Sequence, residues 1–193
     1  QEEIFFKLEL TKFNLVLDRM EKSGDVQPRD TWVLDIDKEP KIILGGMHAK
    51  TRYNIALATK KGVKIRFSKE AKDIKLFLGL NKKTASRNQI IVHGEEHYQR
   101  LFKVLISNDA GELAIAEIDG TVVAVNILIH FGQATTYLHG ASDYGFRKYM
   151  APQLLQWESI KRAREMGNNI YDFGGIAPED DSKPKWEGLT RFK

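Results

Sequence analysis

The sequence predicts an α+β fold, built on a mixed sheet that contains an antiparallel meander. Three observations carry this. Residues 113–139 hold three apolar, β-rich runs separated by Asp119-Gly120 and Gly132-Gln133, and Asp-Gly between such runs is a strong hairpin signal. Runs with helical apolar spacing flank the meander over 68–80, 95–107 and 152–166. A further strand, 170–173, follows the last of these helices directly.

Each element has its own local warrant. Residues 4–10 read as a strand, with Ile4, Phe5, Phe6, Leu8 and Leu10. A helix over 14–22 stops at Gly24, and Gln27-Pro28-Arg29-Asp30 is a turn. Residues 31–36, Thr-Trp-Val-Leu-Asp-Ile, form a β-rich run. A helix over 47–61 has a partial apolar face of Ile55, Leu57 and Ala58 and ends at Gly62. Residues 63–67 alternate apolar and charged side chains and read as a strand. Ser68 is the expected N-cap of a helix to about residue 80, with Ala71, Ile74, Phe77 and Leu78 on one side. Residues 81–87 read as a polar, basic loop. In the helix over 95–107, Leu101, Phe102, Val104 and Leu105 form the expected buried side. The meander strands are expected at 113–118, 121–131 and 134–139. Pro152 suits the first turn of the helix over 152–166, where a missing N–H is not needed. That helix carries Leu154, Leu155, Trp157, Ile160, Ala163 and Met166 and ends at Gly167. Residues 177–185 are linker-like.

Composition narrows the function. A chain of 193 residues buries one sizeable core or two small ones. No apolar run approaches the roughly 18 residues of a membrane helix. With no cysteine there is neither a disulfide nor a cysteine-based zinc site. His93 and His97 are spaced i,i+4, but Gly94 stands where a metalloprotease glutamate would be, so the pair reads as solvated. The net charge of +4 is uneven: 50–83 holds eleven Lys/Arg against Glu70 and Asp73. Such a stripe suits a polyanion or forms an ordinary solvated face. The chain begins at Gln1 and stops at Lys193, directly after Gly-Gly and aromatic-cationic segments. It is expected to be a piece of a longer protein.

From residue 63 the order is strand, helix, helix, meander, helix, strand. This resembles the acyltransferase fold of the N-acetyltransferases, here termed GNAT-like. Six segments, in order, further resemble the FemABX peptidyltransferases, which form peptidoglycan bridges. They are 27–32 (Gln-Pro-Arg-Asp-Thr-Trp), 48–55 with Gly62-Val63, 138–142 (Leu-His-Gly-Ala-Ser), 150–157, 171–176 (Tyr-Asp-Phe-Gly-Gly-Ile) and 188–193 (Gly-Leu-Thr-Arg-Phe-Lys). The resemblance implies two tandem GNAT-like domains in the family. This chain would hold the end of the first (1–45), a connecting helix (46–62) and the second domain without its last strand (63–193). It implies transfer of an amino acid from aminoacyl-tRNA to a stem-peptide amine of a peptidoglycan precursor, lipid II or UDP-MurNAc-peptide. The implied setting is the cytoplasm, with peripheral contact at the inner face of the plasma membrane. No cofactor or metal is implied, because aminolysis of an activated ester needs only deprotonation of the amine and positive charge near the oxyanion.

The same resemblance selects the candidate site residues. Lys193, after Phe192, matches the position beside the transferred ester, where an ammonium can stabilise an oxyanion. Arg87 falls where relatives hold the precursor's diphosphate, a task suited to the guanidinium fork; a surface-loop arginine is the competing reading. Tyr137 and Tyr144 are candidate precursor contacts, with Tyr137 equally readable as a core aromatic. Lys50 and Arg52 belong to the connecting-helix motif, ordering a junction or touching phosphate. This chain has Ala56 where many relatives carry a further base. Asp172 reads as a structural carboxylate for the Gly174-Gly175 turn, and Trp157 as core packing. Two rival functions stand beside this one. One is a coenzyme-A-dependent N-acetyltransferase, weakened because 145–152 holds a single glycine and Pro152 removes a donor. The other is a non-catalytic polyanion-binding remnant.

Overall fold

Alternation along the meander builds a sheet with two apolar faces. In β3 (Gly111–Ile118), Leu113 and Ile115 join one core and Ala114 and Ala116 the other, as the two-residue period of a strand requires. In β4 (Thr121–Phe131), Val125 and Ile127 join the first core, and Ala124 and Leu128 the second. Asp119 and Gly120 both have positive φ, at 48° and 74°, the backbone that a two-residue hairpin needs.

A computed structural model describes residues 30–88, 92–177 and 187–193. The expected strand over 4–10, the helix over 14–22 and most of the turn at 27–30 lie outside the described residues, as does most of the 177–185 linker. Six strands form one sheet in the order β1-β6-β5-β4-β3-β2, where β1 is Asp30–Asp35, β2 Lys64–Ser68, β5 Ala134–Ser142 and β6 Ile170–Ile176. Neighbours are antiparallel except β5 and β6, which are parallel. The mixed sheet with its meander is therefore the α+β, GNAT-like fold that the sequence predicts. β1, from the segment before residue 45, is hydrogen-bonded along β6 and shares the sheet. Local pattern carries no information on a pairing between segments so far apart in the chain.

Helices cover both faces. On one, α3 (Ile74–Asn88) and α4 (Glu95–Ser107) contribute Phe77, Leu78, Tyr98, Phe102 and Leu105. On the other, α5 (Ala151–Glu165) lies over the small Ala114 and Ala116, and α2 (Ala49–Lys60) packs on α5. Because α5 is held between the sheet and α2, Leu154, Leu155, Trp157, Ile160 and Ala163 are all buried, more than one face of the helix. Two short helices were not legible: α1 (Pro40–Gly46), which buries only Ile43, and α6 (Glu187–Phe192).

Three local expectations change. Residues 81–87 are not a loop; α3 continues through them. Their lack of apolar residues hides the helix, but Lys82, Lys83, Ala85 and Arg87 are good helix formers. Asn81 is buried, and Thr84 Oγ1 donates to the Ser142 carbonyl at 3.3 Å. Ser68 is the last residue of β2 and accepts from the Glu70 N–H at 3.1 Å; a short 3₁₀ turn, Ala71–Asp73, precedes α3. In α4 the buried side is Tyr98, Phe102 and Leu105, while Val104 is 55% exposed, so the apolar stripe is rotated from the expected one.

Beside the parallel strand pair, a charged group is buried among the elements. Glu112 on β3 is 1% exposed. Arg162 of α5 donates to it through Nε at 3.1 Å, and His130 Nε2 of β4 lies 3.5 Å away. His130 Nδ1 meets Thr135 Oγ1 at 3.0 Å, which also accepts from Asn168 Nδ2 at 2.8 Å. Burial pushes the Glu112 carboxyl up, but the His130 and Arg162 contacts outweigh burial and hold it below the ordinary 4.5. Glu112→Ala strands two basic groups and is expected to cost about 3–5 kcal/mol of stability at neutral pH, read by denaturant unfolding. Because the folded-state value is depressed, this contribution is complete above 4.5 and disappears as pH falls through the depressed value. The variant's stability should therefore change less on acidification than the parent's.

Candidate active site

The site begins where two parallel strands part. β5 and β6 pair at Ala134↔Ile170, Thr135↔Tyr171 and Thr136↔Asp172, and no pair follows. Both strands carry a cause. The β4–β5 register shifts between Ile127 and Leu128, and a bulge of this kind bends a strand. In β6, Gly174 has φ +71°, a left-handed backbone that favours glycine. Asp172 Oδ1 accepts from the Gly174 N–H at 2.7 Å and from the Thr31 hydroxyl. It thus takes the structural role expected for it.

Lys193 occupies the gap. Thr190 of α6 accepts from the Ala177 N–H at 2.9 Å and ties the helix to the end of β6. Phe192 is the last residue of that helix and Lys193 follows it. The Lys193 ammonium donates to the Gly175 carbonyl at 2.5 Å and lies 5.8 Å from the centre of the Tyr137 ring. Burial pushes its pKa below the ordinary lysine value, and the Asp172 charge opposes that only in part. Tyr137 is itself pushed up to about 12 by burial, so its hydroxyl is protonated at any physiological pH. The ring extends over Gly140: a Cβ there would lie 2.8 Å from Asn126 Oδ1 and closer still to the Tyr137 hydroxyl.

At the C-terminal end of β5 a cleft of about 520 Å³ opens beside the N-terminus of α5. Arg87, Ser142, Tyr144, Arg147, Lys148 and Gln153 are among its lining residues. The last turn of α3 delivers Arg87, whose guanidinium carbon lies 5.2 Å from the Tyr144 ring centre, with Arg147 at 4.4 Å. Such distances suit cation–π contact. Asp143 fixes the floor by accepting from the Gly145 N–H at 2.9 Å and from Lys83 at 2.7 Å, and these bonds hold its carboxyl below the usual range.

The seven candidates therefore fall into three groups. Lys193 and Tyr137 meet at the strand gap, with Phe192 preceding Lys193 in the chain; Arg87 and Tyr144 meet in the cleft, and β5 runs from one to the other. Lys50 and Arg52 line neither. Arg52 donates to the carbonyls of Gly45 at 3.2 Å and of Met47, closing the C-terminus of α1, and Lys50 is exposed on α2. The basic stripe is also less uniform than its count suggests. Arg66 is paired to Asp73 and Glu117, Lys69 to Asp109, Lys82 to Glu95 and Lys83 to Asp143. Residues not foreseen are Gly140, Asn126, Arg147 and Gln153. Only Gly140 carried a signal, a glycine inside a strand.

The mixed sheet, its meander and the helices on both faces are those of the GNAT-like fold. The chain belongs to the FemAB family, whose sequence pattern matches residues 2–122 and 119–193. It is 30% identical over 161 residues to a UDP-N-acetylmuramoylpentapeptide-lysine N(6)-alanyltransferase of Weissella viridescens, covering 81% of this chain and 47% of that protein. It is 26% identical over 189 residues to a lipid II:glycine glycyltransferase of Staphylococcus epidermidis, covering 98% of this chain and 40% of that protein. The chain thus spans about half or less of the length of these curated relatives. The crystal structure of FemX superposes with a TM-score of 0.81 at 21% identity, covering 86% of this chain and 58% of FemX. Among the described residues no helix is long and apolar enough to cross a membrane.

The packing over Gly140 yields a direct test. Gly140→Ala forces the Tyr137 ring from its seat and is expected to lower stability by about 1–3 kcal/mol. Combined with Tyr137→Ala, the two losses should add to less than their sum, because the second change removes the collision partner.

Proposed function

We infer that this chain is the catalytic half of an aminoacyltransferase that extends the stem peptide of a peptidoglycan precursor, with aminoacyl-tRNA as donor. The observation that carries the reading is the Lys193 ammonium, half-buried against the Gly175 carbonyl and the Tyr137 face at the parting of β5 and β6. The names of the two curated relatives, an alanyltransferase and a glycyltransferase acting on cell-wall precursors, support the substrate class. The parent protein carries two tandem GNAT-like domains and works at the cytoplasmic face of the membrane.

In the proposed reaction the acceptor amine attacks the ester carbonyl carbon. A C–N bond forms, the C–O bond to the terminal ribose breaks, and the amine's proton leaves with the ribose oxygen. Negative charge grows on the carbonyl oxygen in between. A cation in a site of low polarity stabilises that charge more than one in water. Lys193 supplies the charge; Arg87 and Tyr144 hold the anionic, sugar-bearing part of the precursor in the cleft.

The full-length parent should transfer an amino acid from charged tRNA to UDP-MurNAc-pentapeptide or lipid II in a radiolabel assay. Acetyl transfer from acetyl-CoA with no transfer from any charged tRNA would sink the reading. Lys193→Met is expected to lower kcat by about 10²–10³ with the fold retained. The rate should also fall as pH rises through the Lys193 pKa, which burial sets below the ordinary 10.5, because the neutral amine no longer stabilises the oxyanion. Arg87→Lys should raise KM for the precursor about tenfold and leave kcat nearly unchanged, since lysine keeps charge but loses the fork.

A further inference from the structure

The cations of this chain differ in what they touch. Several on α3 and β2 sit against carboxylates: Lys82 on Glu95, Lys83 on Asp143, and Arg66 on Asp73 and Glu117. The 3₁₀ turn before α5, Tyr144–Tyr149, is built otherwise. Its sequence, Tyr-Gly-Phe-Arg-Lys-Tyr, interleaves rings and cations, and Arg147 and Lys148 are exposed. Arg147 donates to the Tyr144 carbonyl at 3.3 Å and lies 4.4 Å from the centre of the Tyr144 ring. Lys148 lies 5.2 Å from the centre of the Tyr149 ring. Lys61, just after α2, lies 5.5 Å from the same centre and donates to the Lys148 carbonyl. All of these partners are neutral. Among the described residues none of the three cations has a carboxylate partner.

Like charges gathered without a counter-charge repel, and a bound polyanion relieves that repulsion. There is room for one beside them. Tyr144, Gly145, Phe146, Arg147 and Lys148 all line the cleft of about 520 Å³. Asp143, the acid of that wall, is already held by Lys83 and the Gly145 N–H. The cations are spread out rather than focused on one point, from Arg147 at the Tyr144 ring to Lys148 and Lys61 at the Tyr149 ring. A compact diphosphate meets only neighbouring cations. A row of cations interleaved with rings matches the repeat of a single-stranded nucleic acid, with phosphates on the cations and bases on aromatic or guanidinium planes. The turn also follows directly on β5, the strand that carries Tyr137 to Lys193.

We propose that the turn Tyr144–Tyr149, tied to α2 by Lys61, receives the single-stranded 3′ end of the RNA donor, with Arg147 and Lys148 each meeting a backbone phosphate. This rests on the aminoacyltransferase reading and deepens it, since neither the sequence motifs nor the relatives' names assign a surface to the RNA.

The test uses the full-length parent with both exposed cations neutralised, Arg147→Gln with Lys148→Gln, which leaves the Lys148 carbonyl that holds Lys61 in place. The probe is a fluorescein-labelled, unacylated RNA hairpin with a single-stranded CCA end, read by anisotropy over a range of salt. The double variant should bind about tenfold more weakly at low salt. The slope of log Kd against log salt should flatten by roughly 1.4, at about 0.7 per phosphate contact on a single strand, and Lys148→Gln alone should give about half of that. The parent should bind a blunt hairpin about tenfold more weakly than the tailed one. No binding by the parent, equal binding of blunt and tailed hairpins, or a double variant within about twofold of the parent overturns the proposal. A raised KM for UDP-MurNAc-pentapeptide with unchanged RNA binding overturns it too and gives both cations to the precursor. The functional reading fails separately: a parent that binds the tailed hairpin through these cations yet transfers nothing from charged tRNA keeps the surface and loses the reaction.

Discussion

The site depends on the parting of two parallel strands. After three residue pairs β5 and β6 separate, and Lys193 and Tyr137 are arranged around that separation. A parted sheet exposes backbone N–H and C=O groups, and buried ones need partners. The ammonium of Lys193 on the Gly175 carbonyl is one such partner, and it puts a cation inside the sheet where apolar packing would otherwise lie. The Tyr137 ring fills the adjacent space and covers Gly140. A sheet that stayed paired to the end of β6 would have no room for either side chain.

The separation persists because the surrounding elements hold each strand independently. On its outer side β6 is bonded to β1, and Thr31 reaches Asp172 at the turn. On the other side β5 is bonded to β4 through a register shift and is met at its end by Thr84 of α3. α5 bridges the two. Its C-terminal end is anchored by Arg162 to the buried Glu112, and its N-terminal end borders the cleft. The buried ion pair is therefore connected to the cleft through one rigid helix. The surface ion pairs of α3 and β2 contribute little to stability by themselves, but they use up several cations of the basic stripe. The cations in the cleft are a different set, gathered on Tyr144 from α3 and from the turn before α5.

Much of the fold was legible in local pattern. Asp119-Gly120 marked a hairpin, alternation marked β3 and β4, and the Pro152–Gly167 frame marked α5, each within a residue or two. The polar half of α3 was missed because periodicity reports only apolar residues, and this half owes its place to Asn81 bonding Tyr98 of α4 and Thr84 bonding Ser142 of β5 rather than to an apolar stripe. The tilt of the α4 stripe was missed for a related reason. Val104 is as apolar as Leu105, and only the position of the sheet decides which of them is covered. Among the candidate site residues, Lys193, Phe192, Arg87, Tyr137 and Tyr144 were selected by resemblance alone. Gly140 left a faint signal, and Asn126 left none, since an asparagine in an apolar strand has no meaning until its neighbours across the sheet are known.

The meander, its hairpin turns and the frame of α5 were determined by the sequence by itself, because each rests on residues close together in the chain, and the family by short motifs read in order along it. Only the tertiary structure decided that β1 borders β6, that β5 and β6 part after Asp172, and that the Lys193 ammonium lies between the Gly175 carbonyl and the Tyr137 ring. These are facts of register between distant segments. Register is settled by which side chains fit together across the sheet, and no local run of residues encodes that fit.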